Sequence, residues 1–498
     1  MFSKLITVVT LCVGATAQLL FQPGVNSGIA VSVIQQGKDA YFNSVMQKIN
    51  GLQIPDLYSS DGKSWMIGNT FTYLSTAGNV VFSTDVTNNA MVLTCTKVTA
   101  MFSSTDFRYH YAPLLNAEGN LEVDLNTIQF TIGAGFGLQT LPDGRTVPLI
   151  TGQDTYVKIN RFDLKIHIGG SFTADLIDLV TPFIKGTLCD VLEQQLYIAL
   201  NQSIPNALSA EIRKTDGFLH LAPLFSNTFW IDWETPASAL VTANSFTIEV
   251  KGDMFDTAYG EIDPLVAIPT MPTFDATKPE GYQNYISTWT MDTFGAALTE
   301  ETPLGAWVNK SYNTTITTGQ LNPFLPGIQS FYGDVPCAIH FSITKLGSFN
   351  VLEANPQINA LATITLEFWA LTSTGPQLAT SMTLIDTFFG FTITVNNMTM
   401  NLQLATTNVD KITVNSCSFG KLSTLLLKTE LNNFFRVFTP IINSDLAADT
   451  FTVPSNVAGV FQLTNLTLGY YQNYLYVGMT PVFIAPVSAV EQQLAALQ

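Results

Sequence analysis

The sequence contains the same order of structural elements twice, and this duplication constrains the fold more than any other feature. Each copy begins with an amphipathic helical pattern, continues through short alternating segments, and then has a long helical pattern followed by further strands. The copies agree in pattern rather than in identity, and each spans about 200 residues, which indicates an internal duplication. We therefore expect two similar units in tandem.

The first amphipathic helix is predicted within residues 36–57, which read QGKDAYFNSVMQKINGLQIPDL. Its apolar side chains recur at helical spacing: Tyr41, Phe42, Val45, Met46 and Ile49. Gly51 is typical of a helix end, and Pro55 begins an extended segment. This apolar face is either ordinary core or partly the wall of a site for an apolar ligand.

An antiparallel meander and one long helix are predicted for the rest of the first half. Short apolar segments alternate with turn signals such as Pro142-Asp-Gly. The long helix is expected over Ala174–Leu208, with a kink at Pro182. Its apolar side comprises Leu176, Leu179, Val180, Phe183, Ile184, Val191 and Leu192.

The second half begins after residues 264–279, which contain four prolines without periodicity and therefore predict an extended linker. A shorter helix is predicted over Tyr282–Leu298, presenting Ile286, Trp289, Phe294 and Leu298. Strands follow, and then a second long helix over Gly420–Leu446. Its apolar side comprises Leu425, Leu426, Leu431, Phe434, Phe435, Phe438 and Ile442. A last pair of strands closes the pattern.

The predicted fold class is α+β, with two pseudo-symmetric rolls in tandem. Each roll is a twisted antiparallel sheet around a long helix and a shorter helix, because both helices must bury an apolar stripe against one sheet. The shorter helix cannot reach the core along its whole length, so a slot opens between the helices. An uncharged apolar slot favours an apolar ligand over water, although an apolar stripe is more often ordinary core.

The first 17 residues, MFSKLITVVTLCVGATA, have the pattern of a secretory signal peptide, with a basic residue, an apolar run and small residues at the end. No later apolar run has the roughly 18 residues that a membrane-spanning helix needs. The protein is therefore expected to be secreted, or lumenal in the secretory pathway.

Four cysteines remain after the signal: Cys95, Cys189, Cys337 and Cys417. In an oxidising compartment they permit three pairings, and two disulfides, one in each half, are favoured over a metal site because no pair has CxxC spacing. Five sequons are either glycosylation sites or unmodified polar turns: Asn201, Asn309, Asn313, Asn397 and Asn465.

The chain is acidic, with 21 basic and 38 acidic residues and therefore a net charge of 21 − 38 = −17. Both halves are acidic, so neither has a basic arm for nucleic acid or anionic lipid. Only 12% of the residues are charged, about half the usual share. This composition indicates apolar surface beyond what two small cores require.

No catalytic or metal-binding motif is present in the sequence. Gly133, Gly135 and Gly137 resemble a phosphate-binding loop in spacing, but no helix follows, so a glycine-bearing strand is favoured. No G-x-S-x-G elbow and no His-Glu-x-x-His occurs. We therefore expect a protein that is not an enzyme and that has no metal.

Several segments in order resemble the family of bactericidal/permeability-increasing protein, lipopolysaccharide-binding protein and the lipid transfer proteins. They are residues 23–25 (PGV), 34–37 (IQQG), 54–56 (IPD), 231–234 (IDWE), 248–255 (IEVKGDMF), 317–326 (TTGQLNPFLP) and 473–478 (NYLYVG). No single segment is decisive, but the ordered set covers nearly the whole chain after the signal.

The resemblance implies an elongated boomerang in which a central β-sheet joins the two rolls. Together with the signal peptide at 1–17 and the linker at 256–280, it predicts an N-terminal lipid-binding roll at 18–255, a C-terminal lipid-binding roll at 281–485 and an amphipathic tail at 486–498. By the same resemblance, the N-terminal pocket would use Tyr41, Val45, Met46, Ile49, Leu179, Val180 and Phe183. The C-terminal pocket would use Ile286, Trp289, Phe294, Leu298, Phe434, Phe435 and Phe438.

The sequence departs from this family in two places. The family's N-terminal disulfide joins a strand to the long helix; Cys189 matches the helix position, but the strand position falls near Gly152, and Cys95 is the alternative partner. The tip at 101–110, MFSSTDFRYH, has one arginine and one aspartate where endotoxin-binding members have lysines. Charge-driven binding of lipopolysaccharide is therefore not expected. The tail at 486–498 either covers a pocket mouth or is a frayed or packed terminal helix.

The expected function is that of a secreted lipid-binding or lipid-transfer protein that holds phospholipid-type acyl chains in apolar pockets. The alternative is an innate-defence protein that binds microbial lipid. We expect no cofactor other than bound acyl lipid, transient contact with lipid surfaces or membranes, no nucleic-acid partner, and a monomer.

Overall fold

The computed structural model describes residues 22–483 except 60–61, 113–114, 171–177, 179, 183, 215–216, 221–228, 257–266, 301–303, 309–315, 355, 449–450, 453–455 and 458–460. The predicted signal peptide and C-terminal tail lie outside the described residues. Among the described helices, none has the length and hydropathy needed to cross a bilayer.

The first half has two short helices, a many-stranded antiparallel sheet and a long interrupted helix. Its elements are β1 (Val25–Ala30), α1 (Val31–Gln36), α2 (Lys38–Lys48), β2 (Leu52–Ile54), β3 (Leu57–Tyr58), β4 (Trp65–Thr76), β5 (Val80–Asp85), β6 (Ala90–Ala112), β7 (Leu115–Thr140), β8 (Thr146–Ile159), β9 (Leu164–Ile168), a π-helical turn (Ile184–Leu188), α3 (Cys189–Ile198), a second π-helical turn (Ala199–Ser203), α4 (Ile204–Arg213), β10 (Phe218–His220), β11 (Phe229–Asp232), β12 (Leu240–Val241), β13 (Ser245–Val250) and β14 (Met254–Asp256).

The second half repeats this plan. Its elements are β15 (Tyr282–Ser287), α5 (Thr288–Glu300), β16 (Leu304–Val308), α6 (Thr318–Leu321), α7 (Ile328–Tyr332), β17 (Cys337–Leu352), β18 (Gln357–Thr372), β19 (Gly375–Asn396), β20 (Thr399–Asn408), β21 (Lys411–Cys417), α8 (Thr424–Ala448), β22 (Phe451–Thr452), β23 (Asn456–Val457), β24 (Phe461–Tyr471) and β25 (Tyr474–Phe483).

Each half has its own antiparallel sheet. The N-terminal sheet has the order β2-β4-β6-β7-β8, with β3, β5 and β9 paired to β4, β6 and β7. The C-terminal sheet has the order β16-β17-β18-β19-β20-β22, with β21 paired to β19. We call the N-terminal sheet with α2, α3 and α4 the N-lobe, and the C-terminal sheet with α6, α7 and α8 the C-lobe. Long paired strands interrupted by bulges allow each sheet to twist strongly.

A third sheet joins the two halves and confirms the duplication. Its order is β12-β13-β1-β15-β25-β24-β23. The first strand of each half, β1 and β15, lie side by side at its centre, and each leads directly into a helix, α1 or α5. The last hairpin of each half, β12–β13 or β24–β25, lies outside its own first strand. The fold is therefore α+β, with two pseudo-symmetric lobes joined by a central sheet.

Among the described residues, the four larger clusters of buried apolar side chains each have a fixed place in this architecture. The N-lobe core includes Phe42, Met46, Ile49, Phe71, Phe102, Phe130, Val180, Leu192 and Leu196. The N-junction cluster, between the N-lobe and the central sheet, includes Ile29, Val31, Ile34, Ala40, Phe82, Phe136, Ile150, Trp233, Phe246 and Ile248. The C-lobe core includes Phe324, Leu325, Ile364, Phe368, Met382, Phe389, Leu404, Leu431 and Phe435. The C-junction cluster includes Val351, Ile358, Leu463, Leu466, Leu475, Val477 and Met479.

Two predicted helices differ from those observed. The prediction of a helix over Tyr282–Leu298 is wrong in its first part, because Tyr282–Ser287 form β15 and the helix begins at Thr288. The first predicted helix, within residues 36–57, is observed as α2 and is followed at Gly51 by a left-handed residue with φ of 79°, but a short helix that was not predicted, α1, precedes it and ends before Gly37. The second long helix, Thr424–Ala448, agrees with its prediction within four residues. In the first long helix, a π-helical turn begins two residues after Pro182, where a kink is predicted.

Gly133, Gly135 and Gly137 lie within β7, so this stretch is a strand and not a phosphate-binding loop. A Cβ atom on Gly133 would lie 1.7 Å from the carbonyl oxygen of Gln153 on β8. Glycine is required there because the two backbones approach each other at a register shift.

Candidate functional site

In the N-lobe, helix α2 and the long helix bury apolar side chains in one cluster. Met46 and Val180 are fully buried and Ile49 is almost so, while Val45 is half-buried against the same N-lobe core. Phe42 on the same helix contacts Phe130 of the sheet, with ring centroids 6.3 Å apart. Four predicted pocket residues are therefore brought together. Leu179 and Phe183 lie outside the described residues.

Tyr41 lies apart from this group. It is half-buried against the N-junction cluster, and its ring lies over Gly37 near Phe483. Its hydroxyl is buried without a hydrogen-bond partner among the described residues. Burial raises the pKa of Tyr41 well above the usual value for a phenol. The apolar stripe of α2 is thus divided between the N-lobe core and the central sheet.

In the C-lobe, a group of phenylalanines links α8 to the sheet. Phe434 stacks on Phe324 with centroids 6.0 Å apart, and Phe435 contacts Phe389 edge-on at 6.2 Å. Both belong to, or pack against, the C-lobe core. The side chain of Phe438 lies outside the described part of the chain.

The other predicted residues of the C-terminal pocket lie elsewhere. Ile286 is on β15 and packs against the C-junction cluster. Trp289 and Leu298 are buried on α5 and Phe294 is half-buried there, while α5 packs against β14 and β17. The residues predicted for one C-terminal pocket therefore lie in at least two separate places.

Apart from Tyr41 and Ile286, the sequence did not predict the residues at the two junctions, where much apolar surface is only half-buried. At the C-junction, the half-buried side chains are Tyr282, Ile286, Met291, Phe349, Ile393, Val395, Met398, Met400, Leu468 and Tyr470. At the N-junction, they include Tyr41, Met91, Leu93, Leu208, Val250 and Tyr282. The signal for many of them was the period-two alternation of the central strands, which places alternate residues on one face.

Both junctions share one face of the central sheet. The register places Val25, Ser27 and Ile29 of β1 opposite Ile286, Asn284 and Tyr282 of β15. Leu475, Val477 and Met479 of β25 continue the same face. Tyr282 packs against both junction clusters. We call this the apolar face of the central sheet, and at its centre the hydroxyl of Ser27 donates a hydrogen bond to Asn284.

The predicted N-terminal tip has little free positive charge. The guanidinium of Arg108 lies 4.6 Å from the ring centre of Trp65, and its Nε is 3.2 Å from Glu118 Oε1, although the two atoms are not aligned for a hydrogen bond. Because its charge is paired with a carboxylate, Arg108 adds little attraction for an anionic surface.

The four cysteines are free thiols in the structure. Cys95 and Cys189 are buried in the N-lobe core, and Cys337 in the C-lobe core, while Cys417 on β21 is half-buried. Burial raises the pKa of Cys189 and of Cys337 to about 11. Strands β18 and β19 lie between the strands that carry Cys337 and Cys417.

The sequons differ in exposure. Asn397 and Asn465 are exposed and have left-handed backbone conformations, at a hairpin turn and at a strand irregularity. Asn201 is half-buried, and its Oδ1 lies 2.6 Å from the point where a Cβ on Gly152 would stand. Asn309 and Asn313 lie outside the described residues.

Two pockets on the described surface contain polar groups. One, of about 420 Å³, lies on the N-lobe and is lined by Thr96, Thr127, Gln129, Lys158, Ile159, Asn160, Arg161 and Phe162. The other, of about 520 Å³, lies on the central sheet and is lined by Pro272, Thr273, Phe274, Asp275, Lys278, Tyr285, Tyr471 and Tyr474. We call the second the tyrosine pocket. Within the described ranges, no group of three or more His, Cys, Asp or Glu side chains is placed to hold a metal ion.

A family model described as "LBP / BPI / CETP family, C-terminal domain" matches residues 224–482, which is more than half of the chain. The chain belongs to this family, whose members bind or transfer lipids and are not enzymes. It is therefore a lipid-binding protein and not an enzyme.

Two solved structures are similar to this chain, one over most of its length and the other over little more than a third of it. The crystal structure of lipopolysaccharide binding protein is 16% identical, with a TM-score of 0.49, and the match covers 93% of this chain and 100% of that one. Takeout 1 of Epiphyas postvittana is 12% identical, with a TM-score of 0.26, and the match covers 37% of this chain and 90% of that one. No curated protein matches the sequence.

Proposed function

We propose that this protein is a secreted lipid carrier that holds phospholipid-type acyl chains against the apolar face of its central sheet. The supporting observation is the set of half-buried apolar side chains at both junctions, from Tyr41 and Met91 to Met398 and Met400. Apolar surface that the protein does not bury itself is a usual mark of an apolar ligand site. Unbranched methionines adapt to acyl chains of different length and shape.

The energetics of such a site favour exchange rather than capture. Removing a chain of about 16 carbons from water gains roughly 12 kcal/mol, at ~0.8 kcal/mol per methylene. Removing the same chain from a bilayer gains almost nothing, since the bilayer interior is equally apolar. A carrier needs only to match that interior, and this requires no catalytic group.

Innate defence through microbial lipid is the alternative function. The net charge of −17 and the pairing of Arg108 with Glu118 disfavour attraction to anionic membranes. A carrier is therefore the better supported of the two. Binding to liposomes that contain anionic lipid should change little between low and high salt, whereas a charge-driven mode would weaken steeply.

The secretory pathway is the proposed location, and the surface is consistent with modification there. Asn397 and Asn465 are the proposed glycosylation sites because both are exposed in turns or strand irregularities. A disulfide between Cys95 and Cys189, both buried in the N-lobe core, is proposed for the oxidised protein. Cys337 and Cys417 are not proposed as a pair, because β18 and β19 separate their strands and a disulfide requires Cα atoms within about 7 Å of each other. Mass spectrometry of tryptic peptides without reduction would test both the disulfide and the glycans.

Lipid content tests the proposed function directly. Protein purified from the medium should release acyl lipid in stoichiometric amount on denaturation, as measured by lipid mass spectrometry. A folded protein without acyl lipid would contradict the proposal.

Matched variants test where the lipid lies. Leu468→Asp places a charge on the apolar face of the sheet and should remove lipid from the C-junction, while Gln462→Asp, at an exposed position of the same strand, should not. Val250→Asp should reduce lipid at the N-junction only, with Ser32→Asp on the exposed side of α1 as its control. Equal loss from Leu468→Asp and Gln462→Asp would contradict lipid binding on the apolar face of the sheet.

A further inference from the structure

The tyrosine pocket lies on the side of the central sheet opposite the apolar face. Strand residues alternate between faces, so Tyr285 points away from Tyr282 and Ile286. The pairing of Tyr285 with Tyr476, and of Tyr471 with Tyr474, places these four tyrosines on the same side. The proposed acyl site therefore makes no use of this pocket.

The linker forms the second wall of the pocket and is held firmly against the sheet. The side chain of Gln283 donates to the carbonyl of Asp275 at 2.8 Å and accepts from its amide at 2.9 Å. The amide of Asn26 donates to the carbonyl of Pro272 at 2.7 Å. The pocket is therefore already formed without a ligand, which lowers the ordering cost of binding.

The floor of the tyrosine pocket is aromatic. The rings of Tyr471 and Tyr474 stack with centroids 5.1 Å apart and an angle of 14° between their planes. Tyr285 contacts Tyr474 edge-on at 5.8 Å. Tyr471 and Tyr474 are half-buried and both line the pocket, so part of this aromatic wall is available to a ligand.

Charged and hydroxyl groups surround the aromatic floor. The ammonium of Lys278 donates to the hydroxyl of Tyr471 at 2.7 Å and lies 4.0 Å from the ring centre of Tyr476. The carboxylate of Asp275 accepts from the amide and the hydroxyl of Thr277 through one oxygen, Oδ1. A carboxylate has about four acceptor positions, so further donors can be accommodated.

This combination selects a neutral ligand with many hydroxyl groups. An organic cation is disfavoured because Lys278 already occupies the position over the tyrosine rings. An anion meets the carboxylate of Asp275, and an acyl chain would leave the polar groups of the pocket without partners. A sugar ring fits both the aromatic floor and the polar groups of the pocket, because its C–H faces pack on aromatic rings and its hydroxyls bind lysine and aspartate.

We propose that the tyrosine pocket binds a short neutral saccharide by stacking on Tyr474 and hydrogen bonding to Lys278 and Asp275. Its volume of about 520 Å³ lies within the roughly 300–1,000 Å³ of small-molecule sites. The sugar comes either from a free oligosaccharide or from the head group of a glycolipid, and both have the same chemistry.

Titration of the full secreted chain with maltotriose, chitotriose and mannotriose, followed by calorimetry, tests this inference. At least one trisaccharide should bind, and Tyr474→Ala should weaken it by about fivefold to tenfold, as expected for loss of one aromatic stacking contact. Tyr474→Phe retains the ring and should change affinity less than Tyr474→Ala does. Tyr58→Ala, at an exposed tyrosine of the N-lobe, is the matched control and should leave binding unchanged.

Two further arms make the result decisive. If Tyr474→Ala unfolds, Lys278→Met serves instead and should weaken the same trisaccharide by removing a donor. Vesicles of neutral phospholipid with and without a glycosylceramide separate the two sources of the sugar, and Tyr474-dependent binding in either form supports the proposal. Absence of binding to the trisaccharides and the glycolipid vesicles, binding unaffected by both variants, or displacement of the sugar by inorganic phosphate would overturn it. None of these outcomes bears on the acyl lipid content that tests the carrier function.

Discussion

The hydroxyl of Ser27 donates a hydrogen bond of 2.5 Å to the side-chain oxygen of Asn284, at the centre of the central sheet. Each residue lies in the first strand of its own half, and the two strands run antiparallel with this pair in the middle of their register. The pair therefore marks the axis of the duplication. It is also a polar interruption between the N-junction and C-junction clusters, on the face where we place the acyl chains.

Removal of this hydrogen bond should destabilise the junction. Ser27→Ala removes one hydrogen-bond partner of the half-buried Asn284 side chain, and we expect a loss of about 1 kcal/mol in the free energy of unfolding. Urea denaturation measures it as a lower midpoint. The matched control is Ser75→Ala, which removes an exposed cross-strand hydrogen bond between Ser75 and Thr99 and should cost less than about 0.5 kcal/mol. Equal midpoints for the two variants would contradict the structural role of the pair.

The buried hydroxyl of Tyr41 should make the protein sensitive to alkaline pH. Because burial raises the pKa of Tyr41 in the folded state, this residue ionises first in the unfolded chain, above pH of about 10. Its contribution to stability is fully present below that pH and is then lost at up to about 1.4 kcal/mol per pH unit. Tyr41→Phe should flatten the fall in melting temperature between about pH 10 and 11.5.

Calorimetry across this range checks the prediction, with Tyr58→Phe as an exposed control that should leave the slope unchanged. At pH 7, Tyr41→Phe should be neutral or stabilising by up to about 1 kcal/mol, because it removes a buried donor without a partner. A loss of stability at pH 7 would show that the hydroxyl has a partner after all.

Asp292 should affect stability in the same direction as Tyr41, but at acid pH. Its carboxylate is buried beneath β17, where Oδ1 accepts the amide of Phe349 at 2.8 Å and Oδ2 has no hydrogen-bond partner among the described residues. Burial raises the pKa of Asp292. The carboxyl therefore contributes stability below about pH 3.9, the usual unfolded value, and this contribution is lost as the pH rises through the folded pKa.

Asp292→Asn retains an oxygen acceptor and removes the buried charge. It should raise the melting temperature at pH 7, by a free energy on the order of 1 kcal/mol, and give no gain at pH 3. Asp106→Asn, at an exposed position on β6, should have no such pH-dependent effect. A variant equally stabilised at both pH values would indicate improved packing rather than removal of charge.

The sequence predicted the duplication and the two long helices because their periodicity is sustained over many residues. It failed at Tyr282 and Ile286, since a spacing of four is shared by one helix face and by one strand face, and only the alternating burial of β15 separates them. It also placed Tyr41 in the N-lobe pocket, because helix periodicity shows which residues share a stripe but not that two clusters divide it. The tyrosine pocket could not be predicted, since Lys278 and Tyr471 are 193 positions apart in the sequence.

Gly28 should control the position of the linker, and through it the tyrosine pocket. A Cβ on Gly28 would lie 2.6 Å from the ring of Phe274 and 3.1 Å from its Cβ, so Gly28→Ala must displace Phe274 from the sheet. Loss of about 1.4 kcal/mol of packing would raise the population of the undocked linker about tenfold, and cleavage by thermolysin between residues 267 and 280 would accelerate to the same extent. Gly137→Ala is the control, because its Cβ would meet only Leu149 at 3.8 Å.

Gly28→Ala should also weaken trisaccharide binding while leaving the acyl lipid content intact, since the linker covers the face of the sheet opposite the acyl chains. Unchanged cleavage would mean that the linker docks without Phe274, and loss of lipid together with sugar would mean that the two faces of the central sheet are not independent.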